Sequence, residues 1–328
     1  MIRNQWYVVL ESKQVGRKPV GVTRMGEKLV FWRDQADHVH CLRDRCAHRG
    51  VALSIGDVVE GEIRCPFHGF QYDASGQCTL IPANGRAAAV PERFKVHAYP
   101  THEAHGFIWI WWGDAAPADL APPRFFEDID ATFYYATVYD PWATHYSRVL
   151  ENQLDVMHLP FVHHNTIGRG NRTLVDGPGV EWADENRMRV YVYNRLDDGT
   201  PPRKPEEVPI PNPNGFCLEL EMPNLWQNRI SDDVRVVAAF VPVDEAHTLL
   251  YLRFYQRFLP VPLLGKAVAW LAIPSNRIIA HQDRRVVVTQ RPRPSGLRIG
   301  ENLAQGDRPI AAYRMRRQEL LDAVNRET

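Results

Sequence analysis

The chain has 328 residues, of which 45% are hydrophobic, so it is long enough for one large domain or two ordinary domains with buried cores. Its 39 basic and 39 acidic residues give no net charge, which excludes the broad basic surface with which a protein holds nucleic acid. Five cysteines in a long chain do not form a disulfide framework and favour a reducing, cytoplasmic location. A soluble enzyme is the class that this composition favours.

The sequence shows neither an export signal nor a membrane span. Its first residues, MIRNQWYVVLESKQVG, contain an apolar run too short for a signal peptide and no small-residue cleavage site. The most apolar later stretch, FLPVPLLGKAVAWLAIPSN at 258–276, contains three prolines and Lys266, which argue against a transmembrane helix. Contact of this stretch with a lipid surface stays open as an alternative.

Short runs of β-branched and aromatic residues occupy the first third of the chain. Gly, Asp and Asn separate them and favour turns. The predicted strands are EKLVFWRD (27–34), HVHCLRD (38–44), EIRCPFHGFQYD (62–73) and GFIWIWWGD (106–114). We expect residues 1–115 to form a small all-β domain.

Two short loops of this domain carry potential metal ligands. Cys46 and His48 lie in RCAHRG, Cys65 and His68 lie in CPFHG, and sixteen residues separate the two pairs. A Cys2His2 zinc finger usually places both cysteines on one hairpin and both histidines on a helix, whereas each pair here mixes the two types. Mixed pairs suit a Rieske [2Fe–2S] cluster, in which two cysteines bind one iron and two histidines bind the other. A single zinc ion is the alternative.

A change of composition marks a second domain, predicted at 116–328. The stretch DAAPADLAPPRFFEDID (114–130) has three prolines and no strand or helix period. Strands are predicted at 131–140, 187–196, 215–222, 234–243 and 248–258, and helices at about 144–158, 275–290 and 308–325. This order predicts an α+β fold with an antiparallel sheet covered by helices.

The stretch ENQLDVMHLPFVHH holds a second group of potential ligands. If the first predicted helix runs to His158, then Asn152, Asp155 and His158 lie at i, i+3 and i+6 along one face. Pro160 would end the helix and leave His163 in an extended segment, where it can turn back beside His158. A lone histidine is usually an ordinary core or cap residue, but two histidines with a nearby acid and amide favour a metal site.

An acidic residue on the next predicted helix can complete this group. Asp283 lies between Ile279 and Val286 on the apolar stripe of NRIIAHQDRRVVVTQ, so its carboxylate is expected on the buried face. A buried charged carboxylate is costly without a partner. The partner is either an arginine or an iron held by His158, His163 and Asp283, with its other positions open for dioxygen and substrate.

The first domain resembles a known family. NQWYVV, CAHRGVALSIG, CPFHGFQYD and GFIWIWWGD together resemble the N-terminal domain of Rieske non-heme iron oxygenases, particularly the vanillate-demethylase-like branch of small homotrimeric monooxygenases. The resemblance covers nearly all of residues 4–114. It departs at Phe70, where the family commonly has Trp.

The resemblance implies roles for residues of the second domain, which it predicts to be helix-grip, START-like. The pattern D-x2-H-x4-H matches Asp155, His158 and His163, which favours His163 over His164 as a ligand. The family also has an aspartate seven residues before a glutamine, as Asp283 and Gln290 are here.

In that family the aspartate matching Asp155 links the iron of one subunit to the cluster of the next in a trimer. Here Asp155 would join His158 to His68 of the partner subunit. Two alternatives stay open, namely that Asp155 orients His158 within one subunit or is itself an iron ligand. Asn152 is either a polar neighbour of the iron or a residue of the helix surface.

The expected function is that of a terminal oxygenase, which hydroxylates or demethylates a small organic substrate with O2. Because the chain has no Gly-rich dinucleotide fingerprint, electrons from NAD(P)H are expected through a separate ferredoxin or flavin reductase. The alternatives are a ring cis-dihydroxylating dioxygenase and a Rieske electron carrier or redox sensor. The Pro-rich segment 201–214 is a lid or a surface connection. The three remaining cysteines, Cys41, Cys78 and Cys217, are expected to be packing residues.

Overall fold

A computed structural model describes residues 1–113, 117–212 and 215–327, with side chains as far as residue 324. The chain divides into two compact units, one of Arg3–Pro123 and one of Arg124–Thr328 together with Met1–Ile2. The boundary predicted between residues 115 and 116 lies outside the described residues. So do the last two residues of the Pro-rich segment 201–214.

The unit of residues 3–123 consists of three small antiparallel sheets, which confirms the all-β prediction for the N-terminal region. The strand orders are β1-β11-β10, β2-β3-β4-β9 and β5-β6-β7-β8. The strands are β1 (Gln5–Glu11), β2 (Val20–Arg24), β3 (Glu27–Arg33), β4 (Val39–Arg43), β5 (Asp57–Val59), β6 (Glu62–Arg64), β7 (Gln71–Tyr72), β8 (Cys78–Leu80), β9 (Ala98–Tyr99), β10 (Thr101–Ala104) and β11 (Phe107–Trp112).

The core of this unit includes the two cysteines singled out from the sequence. Trp32, Leu42 and Tyr72 pack with Cys46 and Cys65 in one buried cluster. The loops that carry these cysteines are therefore held against the core by their own side chains rather than projecting freely from the sheets.

The second unit is built on a seven-stranded antiparallel sheet with the strand order β12-β18-β17-β16-β15-β14-β13. This sheet, with its helices, confirms the α+β prediction. The strands are β12 (Tyr134–Trp142), β13 (Leu174–Trp182), β14 (Arg187–Arg195), β15 (Cys217–Glu221), β16 (Leu225–Ser231), β17 (Val234–Pro242) and β18 (Thr248–Gln256). The helices are α1 (Tyr146–Leu154), α2 (Leu159–Val162), α3 (Pro262–Leu271), α4 (Ile273–Val287) and α5 (Arg308–Glu327).

The two faces of the seven-stranded sheet differ in chemistry because side chains alternate along each strand. On β14, Met188 and Val190 point into the apolar core that α1 shares. Between them, Arg189 points to the opposite face and donates to Glu219 of β15 at 2.8 Å. The sheet thus presents an apolar face to the helices and a face rich in ion pairs on its other side.

Helix α3 packs against β12 and β18 through its small residues. Gly265 lies so close to the ring of Tyr134 that a Cβ atom there would be 2.4 Å from Cδ2. Gln256 of β18 donates from Nε2 to the Gly265 carbonyl at 3.0 Å and accepts from the Leu259 amide at 3.1 Å. Within the three described ranges of the chain, no helix is both long enough and apolar enough to cross a membrane.

Candidate metal centres

The loops that follow β4 and β6 hold the four predicted cluster ligands in similar turns. In the first loop the Gly50 amide donates to the Cys46 carbonyl at 2.9 Å, and in the second the Gly69 amide donates to the Cys65 carbonyl at 3.0 Å. Gly69 has a φ of 74°, which favours glycine at the point where the second loop turns. Both cysteines are buried, whereas His48 and His68 are exposed.

The imidazoles of His48 and His68 face each other, with their Nδ1 atoms 3.2 Å apart. The ring of Phe70 stacks on that of His48, with 4.8 Å between the ring centroids. An aromatic ring therefore covers His48 at the position where the family commonly has Trp. Thiolates inside and imidazoles at the surface fit a two-iron cluster whose histidine-bound iron lies nearer to solvent.

The spacing of these four ligands argues against a single tetrahedral zinc ion. Ligand atoms about 2.0–2.3 Å from one zinc ion lie within roughly 4 Å of one another. In the described part of the chain, one group of three or more His, Cys, Asp or Glu ligand atoms lies within 4.8 Å of one another, and it does not include these four residues. The N-terminal set therefore fits two irons better than one ion.

Tyr72 adds a hydrogen bond that the sequence analysis missed. Its hydroxyl lies 3.1 Å from Sγ of Cys46 and accepts from the Ala47 amide at 3.2 Å. Burial raises the pKa of Tyr72 well above its ordinary value, so the hydroxyl keeps its proton and can donate it to the sulfur. Such a bond stabilises negative charge on a ligand sulfur.

The second predicted site departs from the sequence expectation in its backbone. Helix α1 does not reach His158 but ends at Leu154. The side chain of Asp155 accepts from the amides of Met157 at 2.7 Å and His158 at 3.2 Å, which replaces the next helical turn. The prediction of one continuous helix face was therefore wrong.

The prediction that Pro160 ends a helix was also wrong, because it lies at the start of α2. Proline is tolerated there, since the first amides of a helix have no partner within it. His158 and His163 immediately precede and follow this short helix, so they stand one turn apart.

The structure nevertheless brings His158, His163 and Asp283 together. One ligand atom from each lies within 4.8 Å of the other two. Nε2 of His163 is 2.9 Å from Oδ1 of Asp283, and Nε2 of His158 is 3.4 Å from the same oxygen. Asp283 lies on α4 and is only 4% exposed.

These atoms converge without satisfying one another. Oδ1 of Asp283 is buried and, within the described residues, lacks a hydrogen bond of good geometry, although an imidazole nitrogen lies 2.9 Å away. An unsatisfied buried carboxylate oxygen costs about 1–3 kcal/mol or more. An Fe(II) ion would remove this cost, because two imidazole nitrogens and one carboxylate are the protein ligands that it takes in a facial triad. The three residues therefore fit the predicted iron.

Gln282 holds His163 in the form that a metal requires. Its Nε2 donates to Asn165 Oδ1 at 2.8 Å, and its Oε1 accepts from Thr166 Oγ1 at 2.9 Å. The same oxygen lies 2.8 Å from Nδ1 of His163, so this nitrogen carries the proton and Nε2 keeps its lone pair. Burial disfavours the imidazolium, but the Asp283 carboxylate outweighs burial and raises the pKa of His163, so a proton competes with a metal ion for Nε2.

Asp155 and Asn152 lie beside this group rather than within it. Oδ1 of Asp155 is 3.6 Å from Nδ1 of His158. Asn152 and Asp155 line a polar cavity of about 370 Å³, together with Gln290 and Asp307. The Nδ2 atom of Asn152 is buried and has no hydrogen-bond partner among the described residues. Burial raises the pKa of Asp155, but the neighbouring His158 outweighs it and the pKa is lowered, so the group is a carboxylate.

Gly168 packs against the backbone of the segment that carries the histidines. Its amide donates to the His163 carbonyl at 2.9 Å. A Cβ atom at this position would lie 1.9 Å from the carbonyl oxygen of Leu159, which no rearrangement of side chains can relieve. In contrast, His164 is exposed, as expected, with Nδ1 3.0 Å from the Phe161 carbonyl.

The sequence analysis missed Tyr72 and Gln282. Tyr72 stands in CPFHGFQYD, the same stretch as two predicted ligands, and Gln282 directly precedes Asp283. Position next to a ligand was the available signal, but it does not reveal which side chain points toward the ligand atoms.

Replacing Tyr72 by Phe should lower the reduction potential of the cluster, because the reduced form carries more negative charge and loses a donor. Loss of about 1 kcal/mol in a one-electron step corresponds to a shift on the order of 40 mV. A redox titration followed by electron paramagnetic resonance measures it. Tyr99→Phe is the matched control, since that hydroxyl donates to Glu27. Equal potentials in Tyr72→Phe and the wild type would show that the bond has no effect on the cluster.

Replacing Gln282 by Leu should weaken retention of the mononuclear iron by roughly 10–100-fold, because Nδ1 of His163 loses its acceptor. Iron content after dialysis against increasing chelator measures the change, while the visible spectrum of the cluster stays as in the wild type. Gln282→Glu keeps an acceptor at the same distance and should retain iron. Full retention in Gln282→Leu would remove this role from Gln282.

Two family models match the chain. Residues 5–100 match the Rieske [2Fe-2S] domain, and residues 142–323 match the vanillate O-demethylase oxygenase C-terminal domain. These matches assign a [2Fe–2S] cluster to the first region and a mononuclear iron to the second.

Similar proteins agree with this assignment. The chain is 36% identical over 341 residues to chlorophyllide a oxygenase of Chlamydomonas reinhardtii, across 99% of this chain and 49% of the relative. It is 34% identical over 207 residues to the oxygenase component of dicamba O-demethylase from Stenotrophomonas maltophilia, across 61% of this chain and 58% of the relative.

Solved structures share the fold. NdmA of Pseudomonas putida CBB5 matches with a TM-score of 0.76 and 23% identity, across 97% of this chain and 89% of that one. The chain spans about half the length of the curated relatives that it matches. The chain belongs to the Rieske oxygenase family whose C-terminal domain is of the vanillate O-demethylase type.

Proposed function

We propose that this protein is the terminal oxygenase of a Rieske non-heme iron system. The observation that carries the proposal is the convergence of His158, His163 and Asp283 on one buried point, with a carboxylate oxygen that no donor among the described residues satisfies. An electron carrier or redox sensor would need no second metal site and could close this position with an arginine.

We propose His158, His163 and Asp283 as the iron ligands. For the cluster, Cys46 and Cys65 bind one iron and His48 and His68 the other. The bound iron supplies dioxygen activation at positions that the protein leaves open. The chain's own residues set the geometry: Gln282 keeps Nε2 of His163 deprotonated, and Ala280 and Val287 hold α4, which carries Asp283, against the apolar core.

Electrons reach the cluster from NAD(P)H through a separate ferredoxin or flavin reductase in this proposal. The substrate is a small organic molecule, which the enzyme hydroxylates or demethylates with O2. The similarity to a dicamba O-demethylase and to the vanillate O-demethylase family supports one-atom oxygenation of a substituted arene over cis-dihydroxylation, the second candidate. None of the five cysteines, all within the described residues, forms a disulfide, which supports a reducing compartment such as the cytoplasm.

Metal and sulfide analysis tests the oxygenase proposal against the electron carrier. The wild type should contain about three irons and two acid-labile sulfides per chain. Asp283→Ala should keep the colour of the cluster, lose the third iron and abolish substrate-stimulated oxygen uptake with a surrogate reductase. Full iron content and turnover in this variant would mean that another acid completes the site, with Asp155 the first to examine.

Labelled dioxygen separates the two candidate reactions. Monooxygenation should place one labelled atom in the product or in released formaldehyde. A cis-diol with two labelled atoms from the native substrate would establish dihydroxylation instead.

We also propose that the protein acts as a homotrimer in which Asp155 links His158 to His68 of the partner subunit. Support comes from the position of Asp155, which is 3.6 Å from His158 and also faces a polar cavity. A carboxylate between two imidazoles can accept a hydrogen bond from each and so couple the cluster to the iron.

Asp155→Asn should keep both metals and normal reduction of the cluster, yet slow reoxidation of the cluster by substrate and O2. The reason is that an amide cannot accept from two imidazoles as a carboxylate does. Stopped-flow absorbance of the prereduced protein measures this rate, and iron analysis is the control. If the mononuclear iron is lost instead, Asp155 is a ligand and not a bridge.

A further inference from the structure

Helix α3 buries its small residues and exposes its large apolar side chains to solvent. Its buried positions are Gly265 and Ala269, whereas its large apolar side chains face solvent. The exposed fractions are 84% for Leu263, 55% for Leu264, 66% for Trp270 and 67% for Leu271. With 3.6 residues per turn, these four side chains form one stripe at i, i+1, i+7 and i+8.

Further exposed apolar residues flank α3 along the chain. Phe258 and Val261 before the helix are 53% and 47% exposed, and Ile278 on α4 is 54% exposed. A contiguous exposed apolar patch on a water-facing surface indicates a partner, whereas single exposed apolar residues need no explanation. We call this group of seven side chains the α3 patch: Phe258, Val261, Leu263, Leu264, Trp270, Leu271 and Ile278.

Exposed charge on α3 and α4 has one sign. Residues 258–285 contain a single acidic residue, the buried Asp283, although acidic and basic residues are equal in number over the whole sequence. Lys266, Arg277 and Arg285 are exposed on α3 and α4, and in the described part of the chain none of them has an acidic partner. Arg257 is excluded from this count because it pairs with Asp233 at 3.1 Å.

We propose that the α3 patch docks on an anionic lipid surface. An amphipathic helix with Trp and Leu on one face and basic residues at its rim lies in the plane of such a surface, with its apolar face among the acyl chains. The small residues of α3 fit this arrangement, since the tight contact of Gly265 with Tyr134 fixes the helix to the sheet and leaves the large residues free to insert. The proposal is independent of the oxygenase reaction.

Flotation of the full chain, loaded with its cluster, on vesicles tests the proposal. The wild type should bind vesicles of phosphatidylcholine mixed with phosphatidylglycerol and bind phosphatidylcholine alone far more weakly. The double substitution Leu263→Gln and Leu271→Gln should reduce binding by roughly a hundredfold, since each leucine loses its transfer from water. Lys266→Gln and Arg285→Gln should each reduce it by about fivefold on the anionic vesicles only.

A matched control removes the same chemistry elsewhere. Ile55 and Leu196 are 70% and 60% exposed, and neither belongs to the α3 patch, so Ile55→Gln with Leu196→Gln should bind as the wild type does. The cluster spectrum reports folding of every variant.

Three outcomes would overturn the proposal. The first is absence of wild-type binding to either kind of vesicle. The second is equal binding to the neutral and anionic vesicles, which removes the anionic surface. The third combines two results: the wild type does not bind vesicles, and the double variant Leu263→Gln with Leu271→Gln has a lower assembly mass than the wild type by ultracentrifugation. That combination would assign the α3 patch to contact between copies of this chain.

Discussion

The candidate metal site of the second unit depends on one buried carboxylate, Asp283, whose Oδ1 has no hydrogen-bond donor in the described part of the chain. Asp283 is brought to the end of two imidazoles by α4, and α4 can hold it there only because its other buried residues, Ala280 and Val287, pack into the core beneath the sheet. Removing one member of a buried charged pair typically costs about 3–5 kcal/mol, so an unpartnered carboxylate at this position would be selected against unless a cation occupied the site. The packing that fixes the position of α4 therefore also fixes the carboxylate that would bind a metal ion.

In the N-terminal unit the groups whose charge is costly to bury are thiols rather than a carboxylate. Cys46 and Cys65, two of its four cysteines, are part of the hydrophobic core, where burial raises the pKa of the Cys65 thiol and disfavours a free thiolate. Iron bound by these two sulfurs, as we propose, would offset that cost, and cluster and core would then form together. His48 and His68 are exposed.

Sequence reasoning was strongest where one turn contains the whole chemical pattern. Cys65 and His68 are separated by two residues of a tight turn, and that spacing by itself limits where the ligands can lie. Strand β13 was not predicted from the sequence, because Gly177–Gly179 interrupts the alternation of apolar and polar residues that is typical of a strand. The pairing of β13 with β14 is irregular at the same place. It also failed at Leu154, since an aspartate side chain that accepts two backbone amides ends a helix without changing its apolar period.

The structure brings His158, His163 and Asp283 together as predicted, although the helix that precedes His158 ends earlier than predicted. Residue types and chain order were enough for this grouping, because Asp283 had to be buried on its helix and the two histidines lie five residues apart in one short stretch. Gln282 could not be found in this way, since a polar residue beside a ligand points toward the site or toward solvent with equal ease in sequence.

The close approach of Gly168 to the Leu159 carbonyl restricts which residues of this segment can be substituted. Within the loop around it, the side chains of Ile167 and Arg169 are exposed and can vary without meeting the core. Gly168 cannot, because any side chain would push on the backbone that carries both histidines. Asn165, which accepts from Gln282, and Gly170, which has a φ of 105°, have to stay as well. Libraries that vary Ile167 and Arg169 can therefore change the surface of this segment without moving the residues that we propose as iron ligands.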